Sequence, residues 1–316
     1  MKKAFPLLKP ILLSCSFICF CLFSPNVIAQ DRFAKVEITT ERINDSLFVL
    51  KGAGGNIGLS IGADGVFMIY DQYAPLSEKI EKAIAKLTKD KVKYLINTHW
   101  HGDHTGGNEN FRAAGAIVFA HENVYKRMST DQLMKAFGRK VPASPAGALP
   151  MISFASDLHF NLNGEAILAF HLHNAHTDGD AAVYFTKSNV IHMGDTYFQN
   201  RFPFIDLSSG GSVDGLLKSI NQVLFLIDDE TVVIPGHGSL STKKEMTAYR
   251  DVIMTVRDRV KMAIAKGMSL EEIQASNPSK EFDETWGSGF IKPAKFVDII
   301  YTDLTKDQVA KTEEKE

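Results

Sequence analysis

The segment His99-Trp100-His101-Gly102-Asp103-His104 constrains this chain more than any other, because it puts three imidazoles and a carboxylate directly after an apolar strand pattern, Val92 to Ile96. In extended backbone, residues i and i+2 point the same way, so His99 and His101 can grip one cation. The turn into a following helix lets Asp103 and His104 face a second. Three further donors stand after apolar strand patterns: His176 in Ala175-His176-Thr177-Asp178-Gly179, Asp195 in Met193-Gly194-Asp195-Thr196, and His237 in Pro235-Gly236-His237-Gly238. Together they give His99, His101, His176 and Asp195 for one ion, and Asp103, His104, His237 and Asp195 for the other.

Which ion such a site takes depends on whether sulfur is available. Three cysteines, Cys15, Cys19 and Cys21, are present in the 316 residues. All lie in an N-terminal stretch in which Lys2, Lys3 and Lys9 precede the uncharged run Ile11 to Phe23, followed by Val27-Ile28-Ala29. This pattern predicts a secretory signal over 1–29, cut after Ala29; the run is too short to span a bilayer. The exported chain, periplasmic or secreted, then has no thiol, so its metal donors are His and carboxylate. Zinc suits that set, and iron and manganese are compatible with it. The formal net charge is −2, and there is no Lys/Arg-rich block, which speaks against nucleic acid as a partner. The partner to expect is a small-molecule substrate, with no membrane contact after cleavage.

Along the chain, Val36 to Thr40, Ser46 to Leu50, Ile57 to Ile61 and Val66 to Tyr70 read as a strand meander. A helix over Leu76 to Leu87 and a strand over Val92 to Ile96 follow, which indicates an α/β layer. A strand over Ala116 to Ala120 precedes a connection, 129–149, read as a loop with room for a short helix. Two hairpins come next (158–162 with 166–173, 181–185 with 190–193), then a helix over 213–227 and a strand over 232–234. Helices over 243–266, 270–275 and 294–304 are expected to pack on the same domain, 30–240, with a frayed tail at 306–316.

Taken in order, H-x-H-x-D-H, a lone His before T-x-G-D, a G-D after the next strand and G-H-G make the sequence resemble the metallo-β-lactamase superfamily over about Val36 to Leu240. The resemblance implies a four-layer αββα sandwich with a metal site at one edge. It leaves the substrate open, since members cleave β-lactams, thioesters, lactones and other esters, and a few are iron redox proteins. An aspartate at 195, where the best-known lactamase subclass carries Cys, is more similar to the glyoxalase II-like branch, in which that residue bridges both metals.

The expected chemistry is binuclear hydrolysis of an amide, ester, thioester or lactone bond by a metal-bound hydroxide, with Asp103 orienting the water and accepting its proton. The alternative is a mononuclear-iron redox protein of the sulfur dioxygenase kind, or a non-catalytic metal binder, using the same cage. Tyr197 and Arg201, just past Asp195, are candidates for an oxyanion donor and an anchor for an anionic group. Trp100 could wall the cleft. His121, His171, His173 and His192 read as packing or surface residues. The stretch Gly52 to Gly58 fails the dinucleotide register and reads as a hairpin turn.

Overall fold

The computed structural model describes Met1 and residues 32–313, with side chains as far as Lys306; apart from Met1, the expected signal over 1–29 lies outside the described residues. The first sheet joins β1 (Thr39–Arg42), β2 (Leu47–Lys51), β3 (Ile57–Gly62), β4 (Gly65–Ile69), β5 (Val92–Asn97) and β6 (Ile117–His121) in chain order. A small hairpin of β7 (Gln132–Met134) and β8 (Arg139–Val141) intervenes before β9 (Ile152–Phe154) closes its edge. Pairing is antiparallel from β1 to β4, where short turns connect the strands, and parallel from β4 through β9. Parallel pairing needs crossovers, and helices Ser77–Ile84 and Asn108–Ala113 supply two of them.

The second sheet runs β10 (Asp157–Leu162), β11 (Glu165–His171), β12 (Ala181–Phe185), β13 (Val190–His192) and β14 (Val232–Ile234), with only the last pair parallel. Helix Val213–Leu226 makes that crossover. Between the sheets, Phe67 of β4 meets Phe160 and Phe185 edge to face at 5.1 and 6.1 Å, and Phe119 of β6 meets Phe160 at 5.1 Å. The alternate residues of the second sheet, such as Phe170, Ala182 and Ile191, face outward. There they form one core with Leu216 and Ile220 of the crossover helix, Tyr249 and Ile253 of Lys243–Ala265, and Phe296 and Ile300 of Pro293–Glu313. Ile80 and Ala83 are buried on helix Ser77–Ile84 and Phe111 on Asn108–Ala113, so helices also cover the first sheet. The result is a four-layer αββα sandwich that includes the C-terminal helices. Among the described residues, no helix is long and apolar enough to cross a membrane.

Three local expectations are corrected. The first strand starts at Thr39 rather than Val36. The 129–149 connection holds the β7–β8 hairpin, whose strands of three residues each are too short to show an apolar alternation. The last helix runs on to Glu313 instead of ending at 304, because no Gly or Pro interrupts it and Lys306 pairs with Asp303 one turn back.

Candidate metal centre

Strand β5 is buried over its last three residues, which carries the chain through the core and delivers His99 at its C-terminal end. A reciprocal amide pair, Asn97 with Asn108 at 2.9 and 3.0 Å, fastens the following segment to that strand end. His101 then caps a one-turn helix, Gly102–Thr105, which swings Asp103 and His104 to a separate face. His176 follows β11, Asp195 sits on a 3-10 turn, Gly194–Thr196, after β13, and His237 follows β14. Because β11, β13 and β14 run in the same direction, their C-terminal ends deliver all three donors to one edge.

All seven expected ligand residues come together there. His99, His101 and His176 offer nitrogens within 4.8 Å of one another, and so do the donor atoms of Asp103, His104 and His237. Asp195 Oδ2 lies between the two groups, 3.3 Å from His104 Nε2, 3.4 Å from His237 Nε2, 3.8 Å from His99 Nε2 and 3.9 Å from His176 Nε2. Asp103 Oδ2 is 3.2 Å from His104 Nε2 and 3.4 Å from His237 Nε2.

The donor set fits divalent cations on two grounds. First, His99 Nε2, both His104 nitrogens and Asp195 Oδ1 are buried without a hydrogen-bond partner. Each such atom costs about 1–3 kcal/mol if nothing binds it, and two of them, His99 Nε2 and His104 Nε2, converge on Asp195 Oδ2 at 3.8 and 3.3 Å, the arrangement a cation would satisfy. Second, the charges are arranged for it. Burial pushes His99 well below its usual range, helped by the neighbouring His104 charge, and burial also brings His176 down to about 4. Both are thus held neutral, the ligating form. In the other pocket burial opposes charge, yet Asp103 and Asp195 raise His104 to about 10, and Asp195 and Asp103 raise His237 to about 9. Burial would likewise raise the two aspartates, but the imidazoles hold them well below the usual carboxylate range. Two carboxylates at this spacing demand positive charge.

Several supporting residues were not legible in the sequence. Asp206 Oδ2 is 3.1 Å from His101 Nε2, turning Nδ1 toward His176 Nε2 at 2.9 Å. The same carboxylate accepts from the backbone and hydroxyls of Ser208 and Ser209, and its pKa falls although burial works the other way. The only signal available was an Asp-x-Ser-Ser turn pattern, which predicts local capping rather than a contact with residue 101. His176 Nδ1 is fixed by the Phe204 carbonyl at 2.7 Å, and His99 Nδ1 lies 3.2 Å from Thr98 Oγ1, itself bonded to the Tyr70 hydroxyl at 2.5 Å. Such outer partners set the orientation and tautomer of ligating imidazoles.

The glycine-rich stretch is the β2–β3 turn, as expected, but it also closes against the site. A Cβ on Gly55 would lie 2.3 Å from the His104 ring, and one on Gly236 2.0 Å from Asp195 Oδ1, so backbone alone fits at both places. Asn56 Nδ2 donates to the carbonyls of Pro235 and Gly238, tying this turn to the loop that carries His237.

The substrate candidates divide. Tyr197 is 1% exposed, with its hydroxyl on Ser241 Oγ at 2.6 Å and its ring against Tyr249. It is a core residue, not an oxyanion donor, because the 3-10 turn at Gly194–Thr196 sends the next side chain inward. Arg201 is exposed, with its stem against Gly289 and without an ion pair among the described residues. Trp100 is buried beside His101 at 4.9 Å and donates to Ser209 Oγ, buttressing the Asp206 loop instead of lining an open cleft. His192 is buried and bonded to Asn56 O and Gly194 N; His121 caps a helix and stacks on His171 at 3.8 Å; His173 is exposed beside His171.

The family model of the metallo-beta-lactamase superfamily matches residues 71–237, just over half of the chain and a span that contains all seven clustered residues. A metallo-beta-lactamase type 2 of Bacteroides fragilis is 21% identical over 70% of this chain and 88% of its own length. A hydroxyacylglutathione hydrolase of a Polaromonas strain is 27% identical over 56% of this chain and 60% of its own. Among solved structures, a metallo-beta-lactamase from Pontibacter korlensis superposes with a TM-score of 0.58 at 16% identity, covering 69% of this chain and 99% of that one.

Proposed function

The chain belongs to the metallo-beta-lactamase superfamily, and from that premise we propose that it is an exported hydrolase that uses two divalent metal ions, zinc being the best match to a His and carboxylate donor set, to cleave an amide, ester, thioester or lactone bond. The observation that carries this reading is the position of Asp195 Oδ2, within 3.9 Å of four imidazole nitrogens and between two complete donor groups.

His99, His101 and His176 would hold one ion and Asp103, His104 and His237 the other, with Asp195 placed to serve either group. Ions bound there supply Lewis acidity toward a carbonyl and lower the pKa of water. Asp103, 26% exposed at its side chain and ionised, orients the attacking water and takes its proton, which then goes to the leaving group. Arg201, exposed and without an ion pair among the described residues, is a candidate to bind an anionic substituent of the substrate. A carboxylate at 195 and the likeness to a hydroxyacylglutathione hydrolase favour a thioester or ester over a β-lactam.

A second reading, a mononuclear-iron redox protein or a metal binder without catalysis, rests on the three-histidine pocket being complete by itself. Hydrolysis of a thioester and of a chromogenic cephalosporin by the purified exported chain decides between them. The hydrolase reading expects turnover of at least one, lost with chelator and in Asp103→Ala; no turnover of either, with oxygen consumption on a thiol substrate, overturns it. Export itself is tested by finding Gln30 at the N-terminus of protein recovered outside the cytoplasm.

A further inference from the structure

Left-handed backbone marks two places beside the metal centre where the fold accepts strain. Of the seven non-glycine residues with positive φ among the described residues, five are Asn, which tolerates that conformation. The other two, Tyr70 and Gln72, are fully buried and stand just past the end of β4. Gln72 is tied by its side chain to the backbone of Ala53 and Gly55. An aromatic residue at a φ of +72° likewise persists only where its surroundings over-determine it, and the surroundings of Tyr70 belong to the metal centre.

From this conformation the Tyr70 N–H donates to Ile96 O at 3.1 Å, within the first sheet, while the next N–H, of Asp71, donates to His104 O at 3.1 Å. The Tyr70 side chain is thereby set between the two donor groups. Its ring meets the His104 ring at 4.2 Å and 66°, and that of His192 at 4.8 Å and 89°. Its hydroxyl reaches toward the other group: it lies 2.5 Å from Thr98 Oγ1, which is 3.2 Å from His99 Nδ1. Gly194, next to Asp195, leaves room for this pair of hydroxyls, since a Cβ there would lie 2.5 Å from Thr98 Oγ1 and 2.7 Å from the Tyr70 oxygen.

We propose that Tyr70 is a positioning residue shared by the two donor groups, its hydroxyl fixing His99 through Thr98 and its ring fixing His104. Its role rests on the two-metal reading above. His99 Nε2 has no other partner and is the ligating atom, so the ring proton sits on Nδ1 and is donated to Thr98 Oγ1. A threonine hydroxyl alone is free to turn; a second hydroxyl 2.5 Å away, whichever of the two donates, holds it in place. His104 Nδ1 has no hydrogen-bond partner, so packing against the Tyr70 ring and the Gly55 backbone sets the plane of that imidazole.

Zinc titration of the metal-free protein separates the two roles. Tyr70→Phe keeps the ring and removes the hydroxyl, and is expected to weaken the His99, His101 and His176 group about tenfold while leaving the other unchanged; Tyr70→Leu removes both and weakens both groups. With Tyr70 intact, Thr98→Val should match Tyr70→Phe, and Thr98→Ser should keep wild-type affinity. The Tyr70→Phe/Thr98→Val pair should lose no more than Thr98→Val alone. Zinc binding in Tyr70→Phe equal to wild type, an equal loss at both groups, or hydroxyl losses that add in full would overturn the proposal. Nitrogen-15 NMR of the metal-free protein reads the His99 tautomer without zinc: Nδ1–H alone in the wild type and a mixture in Tyr70→Phe is the expected result, and the same tautomer in both overturns it. If the wild type takes up no zinc, it is the two-metal reading that fails, and the tautomer still decides on Tyr70.

Discussion

The two donor groups of the candidate metal centre are built on different plans. In the His99, His101 and His176 pocket the second nitrogen of every imidazole is engaged, by Thr98, Asp206 and the Phe204 carbonyl respectively, and all three rings are buried. In the Asp103, His104 and His237 pocket, His104 Nδ1 has no partner, His237 is 22% exposed with its ring stacked on Phe198 at 5.5 Å, and Asp103 is 26% exposed. Orientation by outer hydrogen bonds favours tight, permanent occupation, whereas ligands held by backbone packing and open to solvent favour exchange and contact with substrate. One pocket reads as an anchor, the other as the working face, and Asp195 couples them.

Asp195→Ala should have the largest effect, because it removes the one donor both pockets share: activity falls by about a thousandfold or more, and neither pocket retains full metal affinity in equilibrium dialysis. A variant that loses one ion only would break the coupled picture. Next comes Gly55→Ala, whose Cβ would meet the His104 ring at 2.3 Å. It is expected to cost the working face its ion, with a loss of activity of about a hundredfold, while the three-histidine pocket keeps its own. Asp206→Asn should do the reverse and more gently, weakening the anchor pocket by about ten- to a hundredfold and leaving the other unchanged, read from two-step metal titrations.

The smallest effect concerns a histidine cluster that belongs to neither pocket. Burial lowers His171 to about 4, with the stacked His121 adding to it. Between pH 6.5 and about 4 the unfolded chain therefore binds a proton that the folded chain refuses. The stability this neutral group contributes is complete above 6.5 and lost as pH falls toward 4, amounting to at most about 3 kcal/mol. His171→Gln should flatten the thermal midpoint across that window and leave metal content alone; a change in metal content would enlarge the centre beyond its seven residues.

The seven clustered residues were legible because each follows an apolar strand, and strand ends in an α/β sandwich converge on one edge. The meander, the strand-helix-strand layer and the helix at Lys243–Ala265 were legible from periodicity. What was not legible depends on the chain folding back on itself. Asp206 lies 105 residues from His101, and the turn at Gly55 touches His104 only through the sandwich. Tyr197 had the right distance from Asp195 in sequence, but one 3-10 turn buried it. The β7–β8 hairpin, with three residues to a strand and half of them exposed, had no alternation to betray it.

The two-pocket claim is tested most directly by metal analysis of the protein, purified without added metal, beside its Gly55→Ala variant. Two zinc ions per chain, falling to one in the variant, is the predicted result. One iron per chain with no second site filled on titration, or the same metal content in both proteins, would contradict it.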